Sequence, residues 1–445
     1  VEEVLPNPSR VQSLSRRGGR RRGWGMRYFP LVITLVALVG QSVLAADAST
    51  PSRPNVVLII SDDHAWTDYS FAGHPYAKTP NIDRLAAEGL TYTRGYVTTA
   101  ICSPSLATML TGLHPHQHGI TGNDPVRGQP RTAWLAPFFE KPLLPKLLAE
   151  AGYLTLHTGK FWMGQPGRVG FTDDMGSTGR HGGKALSIGR KSMKPIYDFI
   201  DKAKQQQKPF FVWYAPFLPH TPHNPPARLL DKYAGVKNAK YLAMIEWLDE
   251  TCGELMGQLK KKGVADNTLV IYLADNGWNE YGKAYPYENG VRTPVIAHWP
   301  GKIQPRKDER RLVTNLDVVP TILTACGVTP PSSMPGINLL DDKAVTKRDT
   351  LFLSNFAHNM VSATEPEKSL WTRSCVHGKW KLLAWIENPP KEVPWNRGHR
   401  HKNPGANLEL FDLLADPHET KNLAKQHPDV VQDLLARIDG WWKVD

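Results

Sequence analysis

Asn55-Val56-Val57-Leu58-Ile59-Ile60 is a near-continuous apolar run, a pattern suited to a strand buried on both faces of a parallel sheet. It is not alone. Residues 153–158, 209–214 and 268–273 read the same way. Helix-like patterns stand between them, over 79–89 and 143–151 (each closed by a glycine), then 195–207, 240–262 and 315–326. Alternation of this kind predicts an α/β fold, a large mostly parallel sheet sandwiched by helices. After residue 341 the style changes. Residues 351–353, 374–376, 380–383 and 408–413 read as short strands, with a turn at His377-Gly378-Lys379 and a helix over 428–443. The expected layout is a large α/β domain over 54–341 and a C-terminal subdomain over 342–445, an antiparallel sheet with a terminal helix. The stretch 388–405 reads as a loop.

The 445 residues are 41% hydrophobic and 22% charged, which excludes a disordered tail, a collagen-like fibre and a disulfide-stapled mini-protein. The net charge of +12 is concentrated at one end, where residues 1–27 hold seven arginines and two glutamates. Met26-Arg27 leads into an apolar run over 30–40 and then small residues to Ala46, the parts of a secretory signal peptide. Residues 1–25 are expected to be an upstream extension, 26–46 the signal, and the protein to be exported, periplasmic or secreted. The run is short for a membrane span, which needs ~20 apolar residues; a membrane anchor with an Arg-rich tail is the alternative. Four cysteines are too few for a disulfide framework. Cys252 and Cys326 sit in apolar helical patterns and read as core.

In open α/β sheets, ligands bind beyond the carboxyl ends of the strands. The first apolar run ends in Ser61-Asp62-Asp63-His64, and the run over 268–273 ends in Ala274-Asp275-Asn276-Gly277. Two buried strands thus deliver oxygen ligands to one edge. Adjacent buried carboxylates repel, and a divalent cation resolves the conflict; an all-oxygen set selects Ca²⁺ or Mg²⁺ over Zn²⁺. The competing reading is a helix cap at Asp62-Asp63 and a turn at Asp275-Asn276. The other strand ends are cationic, with Gly159-Lys160 and Pro219-His220. A Lys and a His beside a metal suit an oxyanion substrate.

The segment Ile101-Cys102-Ser103-Pro104-Ser105-Leu106-Ala107-Thr108-Met109-Leu110-Thr111-Gly112 places Cys102 just before a helix, where exposed backbone N–H groups stabilise negative charge. It resembles the signature of the sulfatase family, in which Cys, a variable residue, Pro, Ser and Arg precede a helix ending in Leu-Thr-Gly. The resemblance runs from Asn55 onward, through residues 78–85 and Tyr287-Glu288-Asn289-Gly290-Val291-Arg292-Thr293-Pro294. It continues through Leu410-Phe411-Asp412-Leu413, Asp416-Pro417-His418-Glu419 and Asn422-Leu423.

The resemblance implies an alkaline phosphatase-like fold and a sulfuric ester hydrolase. It implies Asp62, Asp63, Asp275 and Asn276 as ligands of Ca²⁺, ahead of Mg²⁺, and Cys102 as the residue oxidised to formylglycine (3-oxoalanine) beside the metal. A formylglycine-generating enzyme is then the maturation partner. Lys160 and Lys283 match sulfate-binding lysines, and His220 a histidine that contacts the ester and protonates the leaving alcohol. The hydrate at position 102 is the nucleophile. The expected substrate is a sulfated carbohydrate or aryl sulfate, with no nucleic acid and no stable membrane anchor.

Two positions depart from the family pattern: Leu106 stands where the signature has Arg, and Trp162 where a general-base His is usual. His64, His157 and His181 are the candidate replacements. The departures keep open a phosphomonoesterase or phosphodiesterase, or an inactive binder of sulfated glycans. His114, His116 and His118 read as a turn after the Cys102 helix, with one of them a candidate contact to the leaving group. The basic run 397–402 reads as a solvated loop or a polysaccharide cleft. Trp371, Trp380, Trp385 and Trp395 read as core rather than sugar platforms.

Overall fold

Strand β1 (Asn55–Ser61) is buried along its whole length and is paired on both sides by parallel strands. That is the burial its apolar run calls for. The computed structural model describes residues 53–444 apart from 163, 178–180, 279–280, 388 and 391–405. The upstream extension, the signal segment, most of the 388–405 loop with its basic run, and Trp395 lie outside the described residues.

The remaining strands of the large sheet are β2 (Leu90–Tyr96), β3 (Leu154–Gly159), β4 (Asp173–Asp174), β5 (Phe210–Ala215), β6 (Thr268–Ala274), β7 (Arg292–His298), β8 (Arg306–Asp308) and β9 (Val313–Thr314). Their order is β4-β3-β5-β1-β6-β7-β2-β8, with β9 also on β2. All pairings are parallel except those of β7, which runs antiparallel to β6 and β2. Alternate residues of β1 feed two cores. Val56, Leu58 and Ile60 join Leu106, Met109 and Leu110 of the Cys102–Thr111 helix and Ile322 of the Val318–Ala325 helix. Val57 and Ile59 join Ile82, Ile196, Ile200, Met244 and Leu248, from three helices on the opposite face. Each such side chain, fully buried, contributes ~1.5–3 kcal/mol.

A second sheet follows, antiparallel in the order β10-β11-β12-β13 (Thr350–Phe356, Leu370–His377, Trp380–Trp385, Leu408–Asp412). One face packs Cys375, Leu382 and Leu410 against Leu434 and Ile438 of the Pro428–Trp441 helix. The other packs Leu353, Val376, Leu383 and Phe411 against Tyr96, Tyr287 and Val291. All four cysteines are buried and unpaired. Among the described residues no helix is long and apolar enough to cross a membrane.

Five strands escaped the periodicity reading: β4, β8 and β9, which are only two or three residues long, and β2 and β7, whose sequences mix apolar with charged and small residues. The expected 315–326 helix begins as a tight turn at Asn315–Asp317. There Asp317 accepts from the Thr314 N–H, and the α-helix follows from Val318.

Candidate active site

Parallel pairing puts Ser61 level with Ala274 and Gly159 level with Ala215. The next residues of each strand therefore leave the sheet at one edge. Asp275 N–H donates to Ser61 O (2.9 Å), Asp62 N–H to Leu218 O (2.9 Å) and Lys160 N–H to Ala215 O (2.7 Å). Gly159 makes the exit from β3 possible. Its φ is +84°, and a Cβ there would lie 1.9 Å from Ala215 O. Asp63, at φ +58°, turns the first strand's exit; Asp tolerates this left-handed conformation better than most residues. The Cys102–Thr111 helix starts beside this edge, with Ser103 N–H held by Asn123 Oδ1 at 2.9 Å.

All eight residues singled out from sequence meet here. Cys102 Sγ lies 3.7 Å from Asp63 Oδ1 and 4.0 Å from Asp62 Oδ1. Lys160 Nζ is 2.5 Å from Asp62 Oδ1 and 3.5 Å from Asp275 Oδ2. Lys283 Nζ is 2.8 Å from Asp63 Oδ1 and 3.2 Å from His220 Nε2. Asp275 Oδ1 accepts from Asp63 N–H (3.1 Å), and Asn276 Nδ2 donates to Asp63 Oδ1 (2.7 Å). His220 sits between two cis X-Pro bonds, and its Nδ1 lies 2.5 Å from Thr221 O. A carbonyl only accepts, so Nδ1 carries the proton and Nε2 is the acceptor facing Lys283.

The electrostatics match a site built for ligands of both signs. Burial, and then the Asp62 charge, pushes the Asp275 carboxyl up to about 7. Burial opposes ionisation of Asp63 too, but Lys283, His220 and Lys160 outweigh it and hold this carboxyl well below the usual range. Burial works against the Lys160 charge, yet Asp62 and its neighbours keep the ammonium strongly protonated. Burial holds the His220 imidazole neutral, down to about 3.

A divalent cation fits this donor set. Asp62 Oδ2, Asp275 Oδ2 and Asn276 Oδ1 are buried with no hydrogen-bond partner, three hard oxygens in one place. Ligand atoms of Asp62, Asp63, Cys102 and His220 all lie within 4.8 Å of one another. Partnerless buried carboxylate oxygens are costly in a protein interior, and a cation would satisfy them.

The two departures have different outcomes. Leu106 is buried in the apolar core and takes no part in the site. Trp162 is also buried, but its ring lies 4.6 Å under Lys160 Nζ and its indole N–H donates to His181 Nδ1 at 3.0 Å. Of the three candidate histidines, His181 is the one beside the site, 6.0 Å from His220 between ring centroids. His64 bonds with Tyr272 OH and Asp68 O, and His157 packs on Phe161 and Phe171; neither is a replacement.

The expectation of a leaving-group contact from the histidine tract is corrected. His114 and His116 pack against Trp441, and His118 Nε2 lies 3.2 Å from Thr108 Oγ1. The tract is the short Pro115–His118 helix, not a bare turn. One residue went unnoticed in the sequence. Arg190 Nε donates to Phe217 O (3.1 Å) and Nη1 to Asn224 Oδ1 (2.7 Å), bracing the loop that carries His220. Nothing in Gly189-Arg190-Lys191 marks that arginine in advance.

The family model described as "Sulfatase" matches residues 54–328, and that described as "N-sulphoglucosamine sulphohydrolase, C-terminal" matches 275–441. N-acetylgalactosamine-6-sulfatase of Mus musculus is 28% identical, over 91% of this chain and 88% of that protein. N-acetylgalactosamine-6-O-sulfatase of Bacteroides thetaiotaomicron is 26% identical, over 93% and 98%. The crystal structure of a sulfatase from Pseudoalteromonas sp. superposes with a TM-score of 0.68 at 24% identity, covering 88% of this chain and 92% of that one.

Proposed function

The chain belongs to the sulfatase family and is a sulfuric ester hydrolase, and on that premise we propose that it releases sulfate from a sulfated carbohydrate using a nucleophile made from Cys102. The observation that carries the reading is the meeting of Cys102 with Asp62, Asp63, Lys160 and Lys283 in one buried cluster. The carbohydrate substrate follows the relatives, whose names specify a sulfated amino sugar.

Asp62, Asp63, Asp275 and Asn276 would hold Ca²⁺, beside residue 102. When bound, the cation supplies Lewis-acid stabilisation of sulfate oxygens and lowers the cost of ionising the nucleophile. Formylglycine at position 102 would supply a hydroxyl nucleophile that an unmodified thiol does not. The side chains of this chain do the rest. Lys160 and Lys283 turn from Asp62 and Asp63 toward the sulfate and neutralise its oxygens. His220 Nε2, the acceptor facing Lys283, would take the proton given up by the attacking hydroxyl at position 102 and pass it to the departing alcohol. Trp162 and Phe217 lie on Lys160 and keep water from its ammonium group.

Domain 54–341 carries this chemistry, and 342–445 packs against it through Leu353, Val376, Leu383 and Phe411. Segment 26–46 directs export, placing the protein where sulfated polysaccharides occur; N-terminal sequencing of the secreted product checks this. The direct test is a sulfate-release screen over defined sulfated oligosaccharides, with mass spectrometry of the Cys102 peptide from protein made in its native host. Sulfate release with conversion of Cys102 is expected. An unmodified thiol throughout, with no release, would defeat the reading.

A further inference from the structure

Strand β10 alternates, and its Leu351 and Leu353 belong to the apolar core between the two sheets. The same parity places Asn355 on that face, where a third apolar side chain would continue the pattern. Asn355 is instead a carboxamide only 1% exposed. The pairing of β10 with β11 shifts register between Asn355 and Phe356, an irregularity of the kind that re-aims a side chain. A buried amide needs partners, and Asn355 has two from outside its own sheet. Its Oδ1 accepts from Ala100 N–H (3.3 Å), and its Nδ2 donates to Ala284 O (3.1 Å). An N–H only donates and a carbonyl only accepts, so the amide has one orientation here.

Those two contacts fall beside the site. Ala100 lies two residues before Cys102, and Ala284 directly follows Lys283. The two segments also hold each other, since Ala284 N–H donates to Ala100 O at 2.7 Å. The N–H and the C=O of residue 284 are thus both held. Ala284 has φ +71°, a conformation that an alanine keeps only when its surroundings impose it. The two lysines of the site differ in how they are placed. Lys160 leaves the end of β3 and inherits its position from the sheet. Lys283 comes from the irregular stretch between β6 and the Glu288–Val291 helix, and no strand delivers it. Its Nζ reaches Asp63 Oδ1 (2.8 Å) and His220 Nε2 (3.2 Å) only while the backbone behind it stays in place. The Cys102 side has further supports: Thr98 N–H donates to Asn315 Oδ1 (3.0 Å), and Thr98 O accepts from Ser354 N–H (2.9 Å).

We propose that Asn355 is a positioning residue for sulfate-ester hydrolysis: it clasps the Lys283 segment to the Cys102 segment and so holds the Lys283 ammonium over the site. One side chain of the second sheet thereby takes part in the chemistry of the first. This rests on the reading of Lys283 as a sulfate-binding lysine, and extends it. Without the clasp, Ala284 relaxes toward negative φ and carries Lys283 away from Asp63 and His220.

A double-mutant cycle tests it, run on a sulfate ester that the wild type turns over, with inorganic sulfate as competing inhibitor. Asn355→Leu removes both hydrogen bonds. It is expected to lower kcat/KM by roughly 10–100-fold and to weaken inhibition by sulfate. Lys283→Ala does the same. In the Lys283→Ala background, Asn355→Leu should cost no more than about 3-fold, because the group it positions is gone. Leu434→Ala, on the far face of the second sheet, is the stability control; below its melting temperature it keeps kcat/KM within about 3-fold. Equal losses from Asn355→Leu in both backgrounds, or a loss matched by Leu434→Ala, would reduce Asn355 to packing and overturn the proposal. So would an Asn355→Leu protein with wild-type kcat/KM. If Asn355→Leu does not fold, Asn355→Ser, whose hydroxyl is too short to span both partners, goes through the same cycle. Unchanged kinetics in Lys283→Ala alone would end the sulfate role of Lys283, and this inference with it. Failure of the inference alone shows only in the cycle.

Discussion

Two regions of the molecule bury lysines among carboxylates, and they solve the problem in opposite ways. At the join with the second sheet, Lys381 lies between Glu288 (3.0 Å) and Glu419 (2.9 Å), all three fully buried. Tyr96 OH donates to Glu288 Oε2 (3.1 Å), and Glu288 N–H to Glu419 Oε2 (2.6 Å). Nearby, Tyr287 OH and Trp385 Nε1 each donate to Glu409 Oε2 at 2.8 Å. The acids are answered from within the chain. At the strand ends, by contrast, Asp62 Oδ2 and Asn276 Oδ1 have no hydrogen-bond partner, and Asp275 Oδ2 has only a 3.5 Å contact with Lys160 Nζ, longer than the 2.9 Å that ties Glu419 Oε1 to Lys381. A structural ion cluster closes on itself, whereas a binding site leaves its strongest acceptors for something else.

The largest expected effect separates the two by activity. Cys102→Ala should lower sulfate release by at least ~10⁴-fold, measured by initial rates, since it removes the proposed source of the nucleophile. Lys381→Met acts on the fold instead. It leaves Glu288 and Glu419 buried without their cation, and should cost about 3–5 kcal/mol in denaturant unfolding, with or without calcium. A Cys102→Ala protein that melts early, or a Lys381→Met protein as stable as wild type, would break the contrast.

Calcium should discriminate more finely. Added to chelator-treated wild type at 100 times its dissociation constant, it should stabilise the fold by ~2.7 kcal/mol. Asp275→Asn should lose that gain, and Glu288→Gln should keep it.

The smallest effect is in the pH dependence of the metal-free protein. Asp275 holds its proton to about 7 when folded but releases it near 3.8 when unfolded. Between those values the folded state binds more protons at this carboxyl. The Asp275 contribution to stability should therefore fall as pH rises from about 4 to about 7, and bound calcium should remove that decline. It is read as the difference between wild type and Asp275→Asn, because buried neutral histidines such as His64, His118 and His157 push the whole protein the other way. Thermal melts across that range, with chelator and with calcium, check both.

Much of this was legible in the chain itself, for definite reasons. A strand buried on both faces needs an unbroken apolar run, so β1, β3, β5 and β6 announced themselves. The residues just past them, Asp62, Lys160, His220 and Asp275, then had to share one edge. Other parts gave no such sign. β2 is Leu-Thr-Tyr-Thr-Arg-Gly-Tyr, and its pairing with β7 shifts register between Tyr92 and Gly95, so no clean period marks it. His181 comes from an irregular segment and gains its meaning from Trp162, nineteen positions earlier. Lys381 occupies a short strand between two apolar neighbours, and its burial depends on Glu288 and Glu419 arriving from elsewhere.

The central claim is that the oxygens left without hydrogen bonds at the strand ends hold a divalent cation beside residue 102. Calorimetric titration of Ca²⁺ into chelator-treated protein tests it most directly. One ion per chain should bind to the wild type and none to Asp62→Ala/Asp275→Ala. No heat with the wild type, or equal binding by the double variant, would contradict it.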